Sequence, residues 1–429
     1  MKLTIRGAAS EVGRSCIEVQ TRKTNVLLDC GIKLGDGGTE LPLLPTNTHE
    51  LDGVFISHAH LDHTGALPAL EHHGYKGPIF ATRMTKALSQ ILLKDSLKIG
   101  RLNHQEMDYD EFDVKDVLKF MKRIKLNESG SLKDIDYKFF DAGHIPGSSS
   151  ILLAANNKKL LYSGDVNYYD TKLMKKADTD YYMEQHQGPL TGMIVEATYG
   201  DREHPDRERE ERRFLAQVLE GIQHGSVIIP VFAVGRAQEI LLVLLDQINK
   251  INCPIYLDGM SKDITKLFLR YPETIRDPKK LEKIVSTIKF VTSSEMRRKI
   301  SKQRAIFVTT SGMLTGGPVL QYLRKNHSDA KASILLTGYQ AEHTNGDMLL
   351  KQQQVYIDGW RTKVKCKVAK FDFSAHSGLF GLKQMIKDAN PETLILNHGD
   401  PSAIKHLGDW AQAVDFTVKI PKLGDIIKL

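Results

Sequence analysis

The run HAHLDH, residues 58–63, sets four metal-capable side chains directly behind the strand-like segment GVFIS. On an extended backbone His58 and His60 project to one side, because side chains repeat every two residues. Asp62 and His63 follow where Thr64 and Gly65 allow a turn into a helix, so each pair can face its own ion. Imidazole and carboxylate are borderline to hard ligands that suit Zn²⁺, with Mn²⁺ or Fe²⁺ as substitutes. A lone histidine usually has a structural role, but four candidate ligands within six residues are rarely accidental. Three more segments have the same form, a strand ending in a ligand-capable residue beside glycine: FFDAGHIPGS with His144, LLYSGDV with Asp165 and LILNHGD with His398. A carboxylate such as Asp165 can bridge two cations about 3.5–4 Å apart. Three histidines and this bridge then complete one site, and Asp62, His63, His398 and the bridge complete the other.

A chain of 429 residues can form two or three domains of ordinary size. Its aliphatic runs are short, ILLVLL at 240–245 being the longest, far below the roughly 20 residues of a bilayer span. Lys and Arg total 59 against 52 Asp and Glu, a net +7 that is compatible with an anionic partner without requiring one. The four cysteines, at 16, 30, 253 and 366, have no paired short spacing, which predicts neither a disulfide framework nor a thiolate zinc knuckle and suits a reducing cytoplasm. The start, MKLTIRGAAS, lacks a signal-peptide core and already alternates like a strand.

Up to about residue 161 short strand patterns punctuated by glycine dominate, interrupted by helical spacing at 84–97 and 112–124. Beyond about residue 200 strands and helices alternate: SVIIPVF before AQEILLVLLDQI, PIYLDG before ITKLFLRY, AIFVTTSG before PVLQYLRK. That alternation predicts a parallel sheet covered on both faces. The charge block DREHPDREREERR reads as the solvated first turn of a helix with mixed i,i+4 pairs.

With these motifs together, the chain resembles the metallo-β-lactamase superfamily and, within it, the β-CASP nucleases. The carrying segments are GAASEVGRSCIEV, LLDCGI, SHAHLDHTG, AGHIPGS, YSGDV, VEATYGDREH, VFAVGRAQE, TTSGML, GYQAEHTNGD, FSAH and NHGD. The resemblance is strongest to the nuclease subunit of the cleavage and polyadenylation specificity factor and its compact prokaryotic and archaeal relatives. It implies an α/β protein: a metallo-β-lactamase αββα sandwich at 1–200 and 364–429, with an inserted βαβ-rich β-CASP domain at 201–363. It implies two Zn²⁺, with Mn²⁺ as a substitute: one on His58, His60 and His144, the other on Asp62, His63 and His398, and Asp165 on both. Asp29 would orient a ligand histidine. His398 matches family members that act on RNA.

The implied activity is RNA hydrolysis by a water acidified between two cations, leaving a 5′-phosphate and a 3′-hydroxyl. Asp62 would take part in that chemistry. His376, held by Glu196, would act as general acid or phosphate ligand. Arg236, Ser311 and Gly312 in glycine-rich turns, with Ser374 of FSAH, would contact phosphate in a groove between the domains, while His343 and Asp347 depart from the family pattern. Endonuclease action on single-stranded RNA is expected, with 5′ to 3′ exonuclease trimming alongside, and a homodimer follows by analogy. The alternatives are an inactive RNA-binding scaffold and a small-molecule hydrolase of the same superfamily.

Overall fold

The computed structural model describes residues 1–35, 38–105, 107–178 and 190–429. They form two compact units, one of residues 1–170, 176–203 and 376–429, the other of 171–175 and 204–375.

The first unit has two seven-stranded sheets among the described residues. In one the order is Ile426–Lys428, Lys2–Ile5, Ile17–Gln20, Asn25–Leu28, Gly53–Phe55, Ile79–Thr82, Met121–Ile124. In the other it is Val418–Lys419, Leu394–Asn397, Gly192–Glu196, Lys158–Tyr162, Ser149–Ala155, Ile135–Asp141, Ser129–Leu132. Period-two alternation dictates how they stack. Val26, Leu28 and Phe55 of the first sheet share one core with Phe139, Leu153 and Ile194 of the second, so the sheets pack face to face. Their strand neighbours Leu27 and Val54 turn outward onto Leu70, Leu93, Leu97 and Val117 of covering helices. Met193 and Val195 turn outward onto Leu382, Ile386, Ile404 and Leu407. The result is helix, sheet, sheet, helix. A one-residue slip in any central strand would exchange its two apolar sets and expose a whole face, which fixes the register.

The second unit contains a six-stranded, wholly parallel sheet, ordered Lys289–Phe290, Ile255–Asp258, Ile306–Thr309, Val227–Pro230, Ser333–Leu336, Lys367–Lys370. Its four central strands are buried throughout, as expected where helices cover both faces.

Three expectations are corrected. The helix read at 112–124 spans Glu111–Phe120, and Met121–Ile124 is an edge strand parallel to Ile79–Thr82. Asp110 caps that helix at its start, but Met121 turns extended and sends the chain to the sheet edge. The second break between units falls after Ala375, not 363, because Lys367–Lys370 pairs with Ser333–Leu336 inside the inserted sheet. The charge block opens the helix Arg207–His224 as read, but Glu210 and Glu211 are buried. Glu210 accepts the Asp372 N–H at 2.7 Å and binds Arg213, so this turn is held by tertiary contacts and not by solvent alone.

Candidate metal centre

The ligand-capable residues follow the C-terminal ends of strands that run in one direction. Asp29 follows Asn25–Leu28, His58 follows Gly53–Phe55, His144 follows Ile135–Asp141, Asp165 follows Lys158–Tyr162, and His398 follows Leu394–Asn397. Side chains 340 residues apart in sequence, from His58 to His398, thereby meet at one rim of the sandwich.

Among the described residues two four-residue groups form there, and Asp165, Glu196 and His376 form a third, smaller one. Ligand atoms of His58, His60, His144 and Asp165 lie within 4.8 Å of one another, as do those of Asp62, His63, Asp165 and His398. The Asp165 carboxylate divides between them. Its Oδ2 is 3.4 Å from His58 Nε2 and 3.7 Å from His144 Nε2, while Oδ1 is 3.3 Å from His63 Nε2 and 3.4 Å from His398 Nδ1. His60 completes the first group, its Nδ1 3.1 Å from His58 Nε2 and 3.2 Å from His144 Nε2. Most of these side chains are buried; Asp62, 30% exposed, stands on the open side with His60.

The HAHLDH turn is clasped from below. Cys30 N–H donates to the His63 carbonyl, Ile32 N–H to Leu61 and Ser15 N–H to Asp62, at 2.8–2.9 Å. A Cβ on Gly31 would stand 1.7 Å from the Asp62 carbonyl oxygen, so only glycine lets the two segments approach this closely. Asp29, fully buried, holds the ring of His63: its Oδ2 lies 2.7 Å from His63 Nδ1. The same oxygen accepts from Ser57 Oγ at 2.7 Å and Tyr162 OH at 2.6 Å, and Oδ1 accepts the Ser57 N–H at 2.7 Å. With Nδ1 committed to Asp29, the lone pair of His63 points from Nε2 into the centre. Sequence reading missed Ser57, Tyr162 and Ser15, whose Oγ lies 3.0 Å from Tyr162 OH. The polar residue immediately before His58 was the available signal.

Charge in the cluster is tightly balanced. Burial lowers the pKa of His58 and of His60. Burial acts the same way on His63 and His398, but Asp165 and Asp62 outweigh it and raise both. Burial would raise Asp165, yet the surrounding imidazoles hold it well below the carboxylate range. His63 Nε2 and Asp165 Oδ1 are buried without a hydrogen-bond partner. Buried polar atoms are rarely left so, and two such atoms converging with imidazole nitrogens form the donor set of a cation site. The residues present therefore fit divalent metal.

Glu196, the last residue of its strand, accepts the Val166 N–H at 2.8 Å and faces His376 Nδ1 at 2.9 and 3.0 Å. Its carboxylate is thus committed to positioning, and His376 turns Nε2 inward, 3.9 Å from Asp165 Oδ2. Burial would lower the His376 imidazole, but Glu196 and Asp165 raise it to about 9.

The expected phosphate contacts lie in the second unit. Arg236, at the start of the helix Arg236–Leu245, donates to the Thr337 carbonyl. Ser311 Oγ accepts N–H groups of Thr315 and Gly316 at 3.2 and 3.3 Å, which closes its own turn. Gly312 packs where a Cβ would lie 3.0 Å from the Phe232 nitrogen, and the Ser374 N–H donates to Asp372. His204 pairs with Asp372 at 3.0 Å, and Asp347 pairs with Lys351 at 3.0 Å.

Two ligand groups sharing one carboxylate, on the rim of a helix–sheet–sheet–helix sandwich, define a metallohydrolase of the metallo-β-lactamase superfamily. Comparison with known proteins narrows the class. Residues 237–349 match the Beta-Casp domain, 361–421 the Zn-dependent metallo-hydrolase RNA specificity domain, and 8–201 the anti-Pycsar protein Apyc1. The chain is 43% identical to the Probable RNase MJ4 of Methanocaldococcus jannaschii, over the whole of both proteins. It is 32% identical to the RNase aCSPSF2 of Saccharolobus solfataricus, over all of this chain and 85% of that one. It is 34% identical to the Transcription termination factor FttA of M. jannaschii, over 95% of this chain and 68% of that one. A crystal structure of a protein of unknown function from Enterococcus faecalis V583 matches with a TM-score of 0.61 at 13% identity, covering 100% of this chain and 99% of the other, and shows the fold alone. The chain belongs to the β-CASP ribonucleases.

Proposed function

We propose that the protein is a two-zinc endoribonuclease that opens single-stranded RNA internally and leaves 5′-phosphate and 3′-hydroxyl ends. The observation that carries this is the division of Asp165, one oxygen toward each triad, which is the arrangement a cation pair requires. Relatives named as RNases, one of them similar from end to end, support RNA as the substrate.

His58, His60 and His144 would hold one zinc, Asp62, His63 and His398 the other, and Asp165 both. Bound there, the pair supplies acidified water and a counter-charge for the phosphodiester. The chain's own residues do the rest. Asp29 fixes the tautomer of His63. Glu196 keeps the Nδ1 proton of His376 in place, so that Nε2 can meet a phosphate oxygen or the departing ribose oxygen. Arg236, Ser311, Gly312 and Ser374 are assigned to the RNA backbone, and the four free cysteines support a reducing, cytoplasmic home.

Circular RNA tests the assignment, because only internal cleavage opens it. Zinc-loaded protein should linearise the circle and leave ends that a 5′-phosphate-dependent ligation accepts. An intact circle, with linear monophosphorylated RNA degraded from its 5′ end, would replace the endonuclease by an exonuclease; intact RNA of both kinds would defeat the reading.

A further inference from the structure

Within the first unit, the helices Arg83–Leu102 and Glu111–Phe120 bound a groove of about 740 Å³. Lys86, Lys94, Lys98, Arg101, Lys115 and Lys119 line it, and Glu111 is the single carboxylate among its lining residues. Leu97, Val114 and Leu118 line it between these charges. Glu111 lies 3.8 Å from Arg101 with both side chains more than half exposed, too loose a pair to neutralise the groove.

The spacing concentrates like charge. Lys94 and Lys98 stand at i,i+4, as do Lys115 and Lys119, an arrangement that works against the helix. Opposite charges stand at this spacing in Glu208–Arg212, Asp347–Lys351 and Lys405–Asp409, and like charges recur at Lys383 and Lys387, so what sets the groove apart is that two helices turn such pairs onto one hollow. The ammonium of Lys86 is pushed below the ordinary lysine range, first by burial and then by Arg123 and Lys122, so the positive field continues past the groove.

The start of the long helix also braces the loop that follows His144. Thr82 and Thr85 hydroxyls donate to the Gly147 carbonyl at 2.7 and 2.8 Å. Lys86 stands one residue beyond. From Lys86 to Arg101 the helix advances about 22 Å, the run of about six or seven phosphates at the 3.4 Å per charge of a stacked strand.

We propose that this groove is a docking track for the backbone of single-stranded RNA, holding a stretch of substrate outside the catalytic rim. The inference rests on the ribonuclease reading. Basic side chains at 86, 94, 98 and 101 fall about 12, 6 and 4.5 Å apart along the helix, a row of positive charge that suits an extended polyanion, and Phe112, next to Glu111 and 74% exposed, offers a face on which a base can stack.

The test compares zinc-loaded wild type with a quadruple variant, Lys94→Gln, Lys98→Gln, Lys115→Gln and Lys119→Gln, at exposed positions remote in sequence from every proposed ligand. Fluorescence anisotropy would follow a labelled 8-mer and a labelled 40-mer oligouridylate between 50 and 200 mM KCl. The variant should bind the 40-mer about tenfold more weakly, with a log K against log salt slope shallower by about 2.8, four contacts at roughly 0.7 each. Cleavage of the 8-mer and zinc content should stay unchanged, and the corresponding Lys→Arg variant should restore 40-mer binding. A folded Gln variant with unchanged 40-mer affinity and slope overturns the track. So does a variant that loses only polyglutamate binding, which would assign the groove to an acidic protein. If wild type binds the 40-mer through these lysines but cuts neither RNA, the track stands and the ribonuclease reading fails.

Discussion

Asp29→Asn keeps the shape of a buried side chain and changes the proton it can hold in place. In the native protein Oδ1 accepts the Ser57 N–H, and Oδ2 serves Ser57 Oγ, Tyr162 OH and His63 Nδ1, all at 2.6–2.7 Å. An asparagine has two ways to lie there. With its oxygen toward His63, its amide nitrogen meets the Ser57 N–H donor to donor, a clash that strands a buried donor at about 1–3 kcal/mol. With its nitrogen toward His63, the Ser57 and Tyr162 hydroxyls can turn to accept, but His63 must accept at Nδ1 and carry its proton on Nε2. That proton then occupies the atom 3.3 Å from Asp165 Oδ1, where a lone pair is needed. Either outcome falls first on the site built on Asp62, His63 and His398, because His63 touches Asp29 directly, whereas His58 is reached only through Ser57 Oγ, 3.1 Å from its Nδ1. Loss of such an orienting carboxylate costs about 10–100-fold in metal affinity, or roughly 1.4–2.8 kcal/mol at 1.4 per decade. Chelator competition with elemental analysis should show a fall from two zincs per chain to one at a free-zinc level that saturates wild type. RNA cleavage should fall with it, and far-UV circular dichroism should be preserved. If Asp29→Asn kept both metals at native affinity, the carboxylate would be a mere strand-end cap and the tautomer argument would be wrong.

Other perturbations test neighbouring parts of the site. His376→Ala should slow cleavage strongly at unchanged zinc content, since each proposed ion has four other residues to hold it; a large loss of zinc in elemental analysis would place His376, whose Nε2 faces Asp165, among the ligands. Gly31→Ala drives a Cβ into the Asp62 carbonyl and should cost about 3 kcal/mol or more, read as a lowered melting temperature together with weakened zinc binding. Stripping metal should lower the melting temperature and zinc at about 100 times its Kd should restore roughly 2.7 kcal/mol of stability, whereas an unchanged melt would deny that the cluster binds zinc. In the second unit, burial would raise Asp372, but the hydrogen bond and charge of His204 lower it to about 2. A depressed carboxylate contributes stability that is complete above its unfolded value of about 3.9 and disappears as pH falls toward 2. Acid unfolding followed by fluorescence should therefore be less steep between pH 4 and 2 in Asp372→Asn.

The clustered residues were legible in the sequence because each is a local event, a strand that stops at a ligand-capable residue, repeated at His58, His144, Asp165 and His398. The inserted parallel sheet was legible for a similar reason, since strand and helix alternate on a scale of tens of residues. Residues 121–124 were misread because Met121 and Ile124 satisfy a helical spacing as well as an edge strand, and only pairing with Ile79–Thr82 decides between them. Glu210 and Glu211 looked solvated because their partners lie far away: Asp372 for the first, and for the second Lys172, of the short 171–175 segment. Asp29 shows where the boundary of such reading falls. Its position at a strand end can be read from residues 25–29, but its function depends on Tyr162, which belongs to the other sheet. Tyr162 lies on the face of its strand turned into the sandwich, so its hydroxyl reaches the Asp29 carboxylate only after the two sheets have stacked in register. The atoms that converge as a candidate metal site are thus specified by short segments, whereas the atoms that orient them are specified by packing between segments, and a single sequence displays the first far more openly than the second.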